Sequence, residues 1–299
     1  MAILLDPPRW PAHGTIFGHL VSDLSLDELH AFAANCELPP QAFDHDHYDV
    51  PESRYERLLA AGAVLVRERD LVRRLAASGL RVRAWQKTPT REQARTQLLA
   101  DWESYGLPSP LRDDLLRRWA EPHRHYHDTR HLASCLAALD RLGGAHHTVR
   151  LAAWFHDAVY AGQPGADEEA SAALAEAKLL GLLPADEIAE VERLVRMTST
   201  HQPQDEAAAL LSDADLSVLG QPPGRYDVYL RDVRLDYAHL DEPTWRQGRL
   251  RVLEQLLSAA PLFHTREGRD LWEAQAGANL RAERLRLTTG TTSGGWPAI

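Results

Sequence analysis

The stretch Trp154-Phe155-His156-Asp157-Ala158-Val159-Tyr160 constrains this chain more than any other, because it sets a histidine beside an aspartate inside an otherwise apolar helical run. A carboxylate buried without a partner costs several kcal/mol or takes up a proton, so a bound cation is the economical compensation. The pair therefore reads as half of a metal site.

The chain has 299 residues, enough for two domains, and its 44% apolar content can supply real cores. A formal charge of −10 argues against a protein whose main work is gripping the nucleic-acid backbone. No run approaches the roughly 18 apolar residues of a membrane span, and Met1-Ala2-Ile3-Leu4-Leu5-Asp6 is too short for a secretory signal. A cytoplasmic protein with no membrane contact is expected. Cys36 and Cys135 lie far apart, suggest neither a disulfide framework nor a zinc finger, and are expected in the core.

Residues 1–84 read as a small α/β domain. Ile3-Leu4-Leu5 and Ala63-Val64-Leu65-Val66 look like buried strands. Ser25 is placed to cap a helix from Leu26 to about Glu37, with Glu28 completing a capping box. Pro51 opens a second helix through Leu58, and a third spans Asp70 to Ala77. The loop between the first two is unusual: within Phe43 to Val50 it carries His45, Asp46, His47 and Asp49, with His13, His19 and His30 upstream. These are nitrogen and oxygen donors for a divalent ion or a phosphate-bearing ligand, and a plain polar surface loop is the other reading. From Leu5-Asp6 through His47-Tyr48-Asp49-Val50-Pro51 to Ala61-Gly62-Ala63-Val64, the segment resembles an uncharacterised family of small bacterial and phage domains. That resemblance implies no activity.

Residues 85–92 form a polar linker in which Thr90 is placed to cap the next helix. Residues 93–287 show apolar side chains three or four apart, broken by Gly and Pro, which predicts an all-α domain. Residues 288–299 are rich in Gly, Ser and Thr without periodicity and read as a flexible tail. Pro122 is expected to start a helix that ends at Gly143-Gly144 and sets His127 and His131 on one face. The next helix, Thr148 to Tyr160, turns His156 inward with Val149, Ala152 and Val159. A later one ends at His201, and another holds Asp213-Ala214-Asp215-Leu216. Polar groups converging from facing helices are a familiar way to hold a metal.

Two imidazoles and two carboxylates without a thiolate suit Mn, Fe, Co, Ni or Mg in an open site better than a closed structural zinc site. Such an ion activates water and polarises a phosphoryl oxygen, and nearby arginines then grip the phosphate. Arg124, Arg130 and Arg234 qualify by charge and placement alone. Glu168 lies in Asp167-Glu168-Glu169, where acids favour the first turn of a helix; orienting a water is its other reading.

The order His131, His156-Asp157, Asp215 resembles the HD superfamily of metal-dependent phosphohydrolases. The strings from Glu121 to His127, Ala153 to Tyr160 and Asp213 to Gly220, together with Arg234-Leu235-Asp236-Tyr237 and Ala278-Asn279-Leu280, are similar to a predicted phosphohydrolase branch of it. The resemblance implies that His131, His156, Asp157 and Asp215 are the metal ligands. It selects Asp215 over Asp213, a choice that helical spacing leaves open. It leaves His127 and His201 to a second metal, to substrate phosphate, or to hydrogen bonds within the bundle.

The expected function is hydrolysis of a phosphomonoester or phosphodiester in a small molecule, a nucleotide first among them, by a metal-activated water, with Asp157 bridging metal or acting as general base. A di-iron oxygenase of the same superfamily and a nucleotide-sensing module are the alternatives. Homo-oligomerisation is compatible with the sequence.

Overall fold

The computed structural model describes residues 2–144, 146–259 and 261–289. It divides into two compact units. One comprises the chain up to Lys87 with Pro222–Val228 and the chain from Arg281; the other comprises Thr88–Gln221 and Tyr229–Leu280. Among the described residues no helix is long and apolar enough to cross a membrane.

The first unit is organised by a strand absent from the sequence expectation. Strand β3, Thr15–Ser22, pairs antiparallel with β1 (Ile3–Leu5), with β2 (Trp10–Ala12) and with β4 (Tyr48–Pro51), while β5 (Val64–Leu65) runs parallel to β1. Its residues Leu20 and Val21 are wholly buried, and successive strand side chains face opposite sides of a sheet. Leu20 accordingly joins a cluster with Leu29, Tyr48, Val50 and Leu58, and Val21 joins one with Leu4, Leu71 and Leu75. Gly18 lets β3 pass close to its neighbours, since a Cβ there would overlap the Tyr55 hydroxyl and approach the Asp6 carbonyl oxygen to 2.8 Å.

Helix α1, Leu26–Asn35, begins where expected, with the Ser25 hydroxyl accepting from the Glu28 N–H. The Glu28 carboxylate instead takes the Ser22 hydroxyl, tying the helix start to the end of β3. The helix expected from Pro51 begins later. Pro51 closes β4, a 3-10 turn covers Glu52–Arg54, and α2 is Tyr55–Ala60. Helix α3 is Glu68–Ala77. Pro222–Val228 belongs here because Gly224 lies against the loop before β4: a Cβ on it would overlap the His45 carbonyl. His30 adds a buried link, with its rings nitrogens on the Tyr48 hydroxyl at 2.8 Å and the Asp227 carboxylate at 3.4 Å.

The second unit is helical. Its elements are α4 (Arg91–Trp102), α5 (Ser109–Trp119), α6 (Thr129–Arg141), α7 (His147–Phe155), α8 (Ala166–Leu179), α9 (Ala185–Met197) and α10 (Glu206–Asp215). Then come α11 (Pro223–Asp236), of which the residues from Tyr229 belong to this unit, α12 (Glu242–Ser258), the short α13 (Arg266–Gly268) and, through a π turn at Arg269–Glu273, α14 (Ala274–Thr289), of which the residues up to Leu280 do. Thr90 caps α4 in a reciprocal capping box with Gln93. Thr288 and Thr289 close α14, and the rest of the expected tail lies outside the described residues.

Helix α7 explains why the unit has one centre. From Leu151 to Phe155 every side chain is buried, and a helix apolar on all sides must be surrounded. Leu132, Leu136 and Leu139 of α6, Leu194 of α9 and Leu211 of α10 are likewise buried. Three helix boundaries at expected site residues differ from expectation: α9 stops at Met197, four residues before His201. Helix α6 starts at Thr129, because the Asp128 side chain caps the Arg130 N–H at 2.8 Å; Pro122 and His127 therefore precede it. Helix α7 stops at Phe155, so Asp157 stands in the turn that follows. Cys36 and Cys135 are buried free thiols, as expected.

Candidate metal centre

Donor atoms of His131, His156 and Asp157 in the second unit lie within 4.8 Å of one another, and Asp215 stands beside the two imidazoles. His131 comes from the first turn of α6, His156 and Asp157 from the end of α7, and Asp215 from the end of α10. The Nε2 atoms of His131 and His156 stand 3.2 Å apart. Asp215 Oδ1 lies 3.0 Å from the first and 3.6 Å from the second. Asp157 Oδ2 lies 3.3 Å from the His156 Nε2 and 3.9 Å from that of His131. Donors bound at about 2.1 Å to one ion stand about 3 to 4 Å from each other, so these separations fit a single divalent cation.

The donor atoms are also oriented for that use. His156 donates its Nδ1 proton to the Ala153 carbonyl at 2.7 Å, which leaves the Nε2 lone pair facing the cluster. The His156 ring is held by Trp119, 5.3 Å away between centroids, and Trp119 donates its indole N–H to the Trp154 carbonyl at 2.9 Å. Helices α7 and α10 both end here, and their C-terminal partial negative charge favours a cation. Helix α6 begins here and opposes them, which makes the two carboxylates necessary.

Electrostatics follow from the geometry. Burial opposes charge on His156, yet Asp157 and Asp215 lift its pKa well above the ordinary value. Burial likewise works against both carboxylates, but the His156 imidazole holds them below the usual range, with His131 adding to the effect on Asp215. The imidazoles form a closed floor, 4% and 2% exposed, while Asp157 and Asp215, at 16% and 15%, open toward solvent. A ligand can reach the carboxylate side.

His201 and His127 border that side. His201 Nε2 is 3.5 Å from Asp215 Oδ2, and its Nδ1 is 3.1 Å from the Ser212 hydroxyl. Burial pushes its pKa down, so it is held neutral. His127 stacks on Tyr160 and places its Nδ1 2.7 Å from an Asp236 oxygen. Asp236 was not among the expected site residues. It also accepts the backbone N–H groups of Tyr126 and His127 at 3.2 Å, which shapes the turn leading into α6. Its signal was its place in Arg234-Leu235-Asp236-Tyr237.

Other expected residues have different partners. Arg124 is fully buried, donating to the carbonyls of Asp157 at 2.7 Å, His127 at 3.2 Å and Ala158 at 3.3 Å. Arg130 binds Asp128, Asp232 and the His125 carbonyl. Arg234 donates to the carbonyls of Tyr237 and Leu240 at 2.8 and 3.1 Å. These guanidinium groups brace the unit through their internal partners. Glu168 accepts the Gly165 N–H at 2.5 Å, an N-terminal cap. Asp213 accepts from His264 and Thr265, away from the ligand cluster. A surface cleft lined by Leu142, Ala209, Leu210, His264 and Glu267 contains none of the four clustered residues.

In the first unit the expected donors separate. His45 turns to Asp44 at 2.6 Å, and Asp46 is wholly buried between His47, Arg81 and the Val82 N–H. His47 and Asp49 come together with His19 of β3.

Residues 3–78 match a family model described as a protein of unknown function, DUF4031, which spans well under half of the chain. No curated protein and no solved structure matches the chain.

Proposed function

We propose that the second unit is a metal-dependent phosphohydrolase of HD type acting on a phosphomonoester or phosphodiester in a small molecule, with nucleotides as the first substrate class. The observation that carries this reading is the convergence of the His131 and His156 Nε2 atoms with the Asp157 and Asp215 carboxylates at 3.0 to 3.9 Å. A divalent ion held by these four residues supplies Lewis acidity toward a phosphoryl oxygen and lowers the pKa of water. Imidazole and carboxylate donors without thiolate favour Mn, Fe, Co, Ni or Mg.

The chain's own groups have distinct parts to play. Asp157, partly open to solvent on the turn after α7, takes the proton of the attacking water. Arg124 fixes the carbonyls of Asp157 and Ala158, so the turn that carries Asp157 holds its position. His201, held neutral by burial and 3.5 Å from Asp215, donates to a phosphoryl oxygen. Asp236 orients His127 for the same edge of the site.

Phosphate release from nucleoside mono-, di- and triphosphates and cyclic nucleotides, assayed with each of the five metals, tests the proposal. Turnover in the native chain that disappears in Asp157→Ala supports it. Nucleotide retained without turnover under every metal overturns hydrolysis in favour of sensing.

A further inference from the structure

The first unit contains a second cluster, independent of the phosphohydrolase reading. His19 lies on β3 and Asp49 on β4, directly paired in the sheet, and His47 immediately precedes β4. One donor atom of each of the three lies within 4.8 Å of the others. The two imidazole rings meet edge to face with centroids 5.0 Å apart, and His47 Nε2 is 3.4 Å from Asp49 Oδ1.

The arrangement behind these three residues is more informative than their proximity. The Nδ1 of His19 is 3.0 Å from Asp6 Oδ2, and the Nδ1 of His47 is 2.6 Å from Asp46 Oδ1. Asp6 and Asp46 are 1% and 0% exposed. Each carboxylate is itself anchored: Asp6 accepts the His19 N–H at 2.6 Å, and Asp46 accepts the Val82 N–H at 2.6 Å with Arg81 alongside. A buried carboxylate on Nδ1 fixes the ring, raises its basicity and leaves Nε2 as the free donor, which is the usual support of a metal-binding histidine. Two such pairs side by side, with a third carboxylate between solvent and the rings, exceed what packing a polar loop requires.

We infer that the first unit binds a divalent transition-metal ion through the Nε2 atoms of His19 and His47 and the carboxylate of Asp49, with Asp6 and Asp46 as positioning residues. Two imidazoles and one carboxylate suit Zn, Fe, Co or Ni and leave coordination positions open. Asp49, 49% exposed in its side chain, is free to close the remaining distance, while the rings are held.

The test uses the full chain carrying His156→Ala and Asp215→Ala, so that the other cluster cannot contribute and failure of the phosphohydrolase reading leaves the result unaffected. After cobalt loading and gel filtration, one equivalent of cobalt per chain with ligand-field bands in the visible spectrum is expected. Adding His19→Ala or Asp49→Asn, both at partly exposed positions, should weaken retention at least 10-fold with an unchanged circular dichroism spectrum, and Asp6→Asn should weaken it by about 10- to 100-fold. No retained cobalt in the starting variant overturns the inference, as does retention indifferent to His19→Ala and Asp49→Asn. Should that starting variant fail to fold, the native chain supplies the same decision: His19→Ala must lower its cobalt content by one equivalent with an unchanged circular dichroism spectrum.

Discussion

Asp213 and Asp215 sit two residues apart near the end of α10 and hold different partners. Asp213 accepts the backbone N–H groups of His264 and Thr265 at 2.7 and 2.8 Å, whereas Asp215 lies 3.0 Å from the His131 Nε2. The first carboxylate secures the chain entering α13, and the second belongs to the proposed ion site. Asp213→Asn should therefore cost about 1–3 kcal/mol of stability and leave metal content intact. Asp215→Asn should lose the ion with a smaller change in the urea midpoint. Elemental analysis beside urea unfolding of the two variants checks the pair.

Arg124 should act through structure. Its removal orphans three buried carbonyls and a salt bridge to Glu121 at 3.1 Å. Arg124→Ala is expected to destabilise by about 3 kcal/mol, and Arg124→Lys, which keeps charge without the planar fork, should recover less than half of that. Urea unfolding measures both. A role limited to gripping phosphate would instead raise KM with no change in stability.

Glu168→Ala removes only the cap on the Gly165 N–H. A loss of at most about 1 kcal/mol is expected, with metal content and phosphate release unaffected. A large fall in kcat at unchanged stability would contradict this placement.

Asp23 gives a pH signature remote from both clusters. Burial works against its charge, but the Ala2 N–H at 2.7 Å and the Arg74 guanidinium hold its pKa below 3.8 in the folded chain. A depressed carboxyl pKa contributes stability that is present above the unfolded value and disappears as pH falls through the folded value. Asp23→Asn should then lower the urea midpoint at pH 7, and the difference should shrink as pH falls below about 3.8. A constant difference across that range would remove charge from the explanation.

The reasons why some of this was legible in the sequence are particular. His156-Asp157 stood out because Leu151 to Phe155 of α7 form an unbroken apolar run, so any polar residue that follows it needs a partner. Asp215 could be separated from Asp213 only by resemblance, since neighbouring leucines give both the same helical surroundings. The His127 placement failed at a cap: Pro122 looked like a helix start, but the Asp128 side chain takes the Arg130 N–H and begins α6 after His127. Strand β3 was missed because Gly18 interrupts the alternation of Thr15–Ser22, and the need for glycine becomes apparent only when Tyr55 and Asp6 are packed beside it. With β3 missing, His19 had no reason to meet His47. The internal partners of Arg124 and Arg234 were likewise out of reach, because carbonyl acceptors leave no trace in sequence.

The central claim is that His131, His156, Asp157 and Asp215 hold one divalent ion, and its most direct test is the metal content of the purified chain beside His156→Ala and Asp157→Ala. Each variant should contain one ion per chain fewer than the native protein while retaining its helical circular dichroism. A folded variant with undiminished metal would contradict the account.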